Sequence, residues 1–98
     1  MKEKIIYRQG DIILEPVEST PRTAKVVGTK LELRGETGHT HTLEATVLET
    51  PTQTYVQVKN NALMTHPQQP PLTVPPGSYA VRRLREYVEN RRSRAVFD

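Results

Sequence analysis

The chain has 98 residues, the length of one domain, with a formal charge of +3 and a pI of about 9.5. Without cysteine it forms neither disulfides nor thiolate metal sites, and no apolar run nears the ~20 residues that span a bilayer. With 35% hydrophobic residues and no tryptophan, its core is modest and gains from a partner subunit or a metal.

Met1-Lys2-Glu3-Lys4 leads into an apolar stretch too short for a signal peptide, which predicts a cytoplasmic location with no membrane partner. Residues 4–8 read as a first strand, and Gln9-Gly10 supplies turn chemistry. Residues 11–17, rich in Ile, Leu and Val, form a second strand. A polar loop over 18–23 leads to a strand over 25–34, where Leu31 and Leu33 share one face and the charges the other.

The next strand begins at a tight turn, Gly35-Glu36-Thr37-Gly38. His39, His41, Leu43, Ala45 and Val47 fall on one face; Thr40, Thr42, Glu44, Thr46 and Leu48 fall on the other. Pro51 breaks the run. Residues 52–59 form another strand, and Asn60-Asn61 a turn at which Asn tolerates positive φ. Ala62 to Thr65 is short and apolar.

Five of the eight prolines lie within residues 67–76, so that segment is a rigid connection with at most a brief edge strand at Leu72-Thr73-Val74. Tyr79-Ala80-Val81 is a strand that either runs on to Tyr87 or gives way to a helical turn. Residues 94–97 could close a sheet edge. Seven or eight short strands with Gly, Pro and Asn punctuation predict an all-β fold, a small barrel or a sandwich, in one domain over 1–98.

Two features carry chemistry. Residues i and i+2 of a strand point the same way, so His39 and His41 could reach one metal ion, with His66, the only other histidine, as third ligand. Imidazole suits Zn, Ni or Fe, so the cofactor is either none or one such divalent transition metal. The competing reading is a pair of ordinary strand histidines bonded to threonines or backbone. The second feature is basic. Six of fourteen Lys and Arg residues (Arg82, Arg83, Arg85, Arg91, Arg92 and Arg94) fall in the C-terminal segment 82–98. They are either a footprint for nucleic acid or an acidic partner, or a solvated face. Tyr7, Tyr55, Tyr79 and Tyr87 could stack bases, or serve as core and rim.

Gly35-x-x-Gly38-His39-x-His41 with Pro75-Pro76-Gly77 resembles in part the cupins, β-barrels with a His-x-His metal motif. A cupin glutamate would come a residue or two after Glu44, and no histidine follows Gly77 at the cupin distance. A broader resemblance runs through Gln9-Gly10-Asp11-Ile12-Ile13-Leu14, the same Gly-His-x-His run and Thr65-His66. It continues through Leu72-x-x-Pro75-Pro76-Gly77-x-Tyr79-x-Val81 and Arg85-Glu86-Tyr87. This pattern is similar to a family of small uncharacterised proteins of bacteria and their phages. Its members often carry a further histidine three residues after the one matching His66, where this chain has Gln69. The resemblance implies a compact domain and no particular activity.

No phosphate-cradling loop, nucleophile elbow or two-histidine phosphoesterase motif is present. The leading expectation is a non-enzymatic accessory domain that assembles with itself, as a homo-oligomer, or with a larger partner. A metal site at His39, His41 and His66 is the alternative, and a nucleic-acid binder using the C-terminal arginines the second alternative.

Overall fold

The computed structural model describes residues 5–35 and 38–85. All its elements are strands: β1 (Tyr7–Gln9), β2 (Ile12–Val17), β3 (Lys25–Arg34), β4 (Thr40–Glu49), β5 (Thr54–Val58), β6 (Ala62–Met64), β7 (Leu72–Val74) and β8 (Gly77–Arg83). Six make one antiparallel sheet in the order β1-β2-β8-β5-β4-β3, and β6 and β7 pair as a ribbon. Among the described residues no helix is long and apolar enough to cross a membrane.

The period-2 pattern decides which face is core. Leu43, Ala45 and Val47 of β4, Val56 and Val58 of β5, Tyr79 of β8, Ile12 and Leu14 of β2 and Leu31 of β3 pack in one cluster. The ribbon lies over it and adds Met64 and Val74, both fully buried. Fully burying a side chain of this kind stabilises by about 1.5–3 kcal/mol. Edge-to-face contact of Tyr7 with Tyr79, ring centroids 5.8 Å apart, places both tyrosines in this packing. The buried Tyr79 hydroxyl donates to the Pro75 carbonyl at 2.7 Å and anchors the proline segment.

The ribbon is tied to β4 by one bridge: Thr42 N–H donates to Thr65 O at 2.9 Å, and Thr65 N–H to Thr42 O at 2.8 Å. β7 packs beside β1. The described strands therefore form a sheet and a small covering sheet, not a closed barrel.

Pro16 sits inside β2 without breaking it. β1 pairs only with Ile12 to Leu14, so the missing N–H at Pro16 falls where β2 has β8 as its one partner. Other expectations need correction. Gln9 is a buried strand residue, and the turn proper is Gly10, at φ 59°. Asn60 and Asn61 turn without positive φ. Leu48 is buried although it lies on the face opposite Val47. β8 ends at Arg83, and Leu84 and Arg85 take helical backbone where continued strand was one reading. The edge strand expected over 94–97 lies outside the described residues.

Candidate functional site

The Thr42–Thr65 bridge fixes the register that matters. His41 precedes one partner and His66 follows the other, so strand pairing alone brings their rings to a centroid distance of 4.4 Å. His39, two residues back on β4, meets His66 edge-to-face at 5.5 Å. The three histidines singled out from the sequence therefore do converge. They differ in access: His41 is 1% exposed, while His39 and His66 are half-buried.

Both nitrogens of His41 face protein. Nδ1 lies 3.0 Å from Gln9 Oε1. Gln9 Nε2 donates to Met64 O at 2.9 Å and to Pro70 O at 3.0 Å, so its amide orientation is set by two carbonyls. Gln9 Oε1 is then an acceptor, and His41 Nδ1 must be the donor. Nε2 points at Asp11 Oδ1, 3.4 Å away. Asp11 Oδ2 lies 3.3 Å from Arg83 Nη1, which also donates to Arg34 O at 2.8 Å.

Two glycines allow this close packing. A Cβ on Gly35 would stand 2.8 Å from Asp11 Oδ1 and 3.0 Å from His41 Nε2, and one on Gly10 would stand 3.1 Å from His41 Cε1. The positive φ of Gly10 turns the chain between Gln9 and Asp11, aiming both side chains at one imidazole. Residues from β1, the β1–β2 turn, β4, β8 and the segment after β6 thus close a polar knot around His41.

The pKa of His41 lies below the ordinary imidazole value. Burial is the main cause, the His66 ring adds to it, and Arg83 adds a little; Asp11 opposes them by attraction and hydrogen bonding. Desolvation prevails over the nearby carboxylate in setting that direction.

His66 has a different task. Its Nδ1 accepts the backbone N–H of Gln68 at 3.0 Å and of Gln69 at 3.1 Å, capping the turn into the proline segment. A neutral ring that accepts at Nδ1 carries its proton on Nε2. Among the described residues no set of three or more His, Cys, Asp and Glu side chains is placed to hold one metal ion.

The basic segment is reached only in part. Arg82 donates to Glu15 at 2.7 Å, and Arg83 is held by Asp11 and Arg34. Arg85 also makes an interaction. Arg91, Arg92 and Arg94, like Tyr87, lie outside the described residues.

Gln9 and Asp11 are the members of the cluster that sequence reasoning missed as site residues. The local signal was two polar residues flanking a glycine between apolar strands, which also reads as a plain turn. No curated protein and no solved structure matches the chain. A family match runs over residues 8–84, from before Gln9 to past Arg83, and the chain therefore belongs to the family described as Domain of unknown function (DUF8820).

Proposed function

We propose that this chain is a non-enzymatic, sandwich-like β-domain whose role is assembly, with itself or with a larger partner. The observation that carries the reading is β3. It is a ten-residue edge strand with β4 as its one partner strand among the described residues. Its Val26 and Val27 are 64% and 55% exposed. A long edge offers unpaired N–H and C=O groups to another strand, and exposed valines there favour being covered.

The histidine cluster supports the same reading from the other side. His41 is buried with both nitrogens facing protein, as a structural residue is. The alternative, a metal held by His39, His41 and His66, competes for the same atoms. It would require His66 to give up two backbone hydrogen bonds, because ligation through Nε2 needs the proton on Nδ1. In the nucleic-acid alternative, Arg82 and Arg83 would offer a charge already partly offset by Glu15 and Asp11.

Sedimentation equilibrium of the purified protein tests the proposal. A concentration-dependent multiple of the chain mass, or a copurifying partner held in fixed ratio, is the expected result. A monomer at high concentration with no partner overturns it.

A further inference from the structure

The edge of β3 also carries a recognition code. From the regular pairing of Lys30 to Arg34 with β4, its side chains divide cleanly: Leu31 points to the core, and Lys30 and Glu32 are exposed on the other face. At Gly28 the register with β4 shifts, so an irregularity bounds the straight part of the edge. We infer that the occupant of this edge is β3 of a second copy, antiparallel, with Leu31 opposite Leu31 on a two-fold axis. The inference rests on the assembly reading and adds its partner and its register.

Charge selects that register. With Leu31 on the axis, Lys30 of each copy lies directly opposite Glu32 of the other, giving two attractive cross-strand pairs. Beyond these pairs Thr29 comes opposite Leu33 and Gly28 opposite Arg34, in the irregular stretch before Lys30. A two-fold axis perpendicular to the sheet keeps inner side chains beside inner ones, so the register changes in steps of two residues. One step one way sets Lys30 against Lys30. One step the other way sets Glu32 against Glu32 and Lys30 against Arg34. The neighbouring alternatives are therefore repulsive, which is what register selection requires. A self-pairing edge continues the six-stranded sheet of each copy across the axis.

The test uses the full chain and charge exchange at two exposed positions. Lys30→Glu makes both cross pairs Glu–Glu, and Glu32→Lys makes both Lys–Lys. Each single variant should dimerise about tenfold or more weakly than the wild type. Mixing the two variants restores Glu against Lys twice, so the equimolar mixture should dimerise as the wild type does. So should the double variant Lys30→Glu/Glu32→Lys, which also controls for Glu44 opposite position 30 within the chain. Native mass spectrometry reads the masses, and thermal melts confirm that each variant is folded. A dimer indifferent to both single variants overturns the β3 register while leaving the assembly reading in place. A wild-type chain that binds only a different protein overturns self-pairing. A monomer with no partner overturns both.

Discussion

Gln9 and His41 hold together parts of the chain that are distant in sequence. Replacing Gln9 by Ala strips a partner from His41 Nδ1, Met64 O and Pro70 O at once. Orphaned buried groups cost about 1–3 kcal/mol, so Gln9→Ala should lose about 2–3 kcal/mol in urea denaturation. His41→Ala also opens a cavity and should lose about 2–4 kcal/mol, a large part of the 5–15 kcal/mol typical of a domain. His41 also sets a pH dependence. Its folded pKa is depressed, so the unfolded chain binds the proton more readily, at the ordinary value near 6.5. The stability is full above that value and is lost as pH falls from there through the lowered folded value. Urea midpoints measured from about pH 8 to about pH 5 should fall across this window, and less steeply in His41→Gln.

The strands were largely legible in the sequence, because period 2 and the Gly, Pro and Asn breaks are local signals. The β3 span read from the pattern matches the one observed, and β4 differs by one residue at each end. The convergence of the histidines followed from register. The identity of their partners did not, because Gln9 reaches His41 across 32 positions, a contact that no local pattern announces. At the element scale, two substitutions separate the architecture from a bound metal. Gly35→Ala pushes a methyl into Asp11 and His41 and should cost about 1–3 kcal/mol by thermal melting. His66→Asn keeps a short side-chain acceptor for the Gln68 and Gln69 amides, whereas His66→Ala does not. The Asn variant should be the more stable of the two by about 1 kcal/mol. Equal losses from both would mean that the turn does not depend on that acceptor.

For the whole molecule, the small core and the β3 edge point the same way. Among the described residues, a six-stranded sheet covered by a short ribbon buries its inner face and leaves the ten-residue β3 with β4 as its one partner strand and with Val26 and Val27 exposed. Natural edges are blunted by charge, and here Lys30, Glu32 and Arg34 do this on one face, with Lys30 and Glu32 complementary to each other across the proposed axis. Val26→Lys with Val27→Lys should weaken assembly while far-UV circular dichroism shows the fold retained, since both side chains are exposed. The measurement that bears most directly on the account is native mass spectrometry of the purified wild-type protein, with elemental analysis of the same sample. The account predicts a metal-free species at a multiple of 11.2 kDa, or a fixed-ratio complex with a partner. A monomer carrying about one metal ion per chain would contradict it and would make the three histidines ligands.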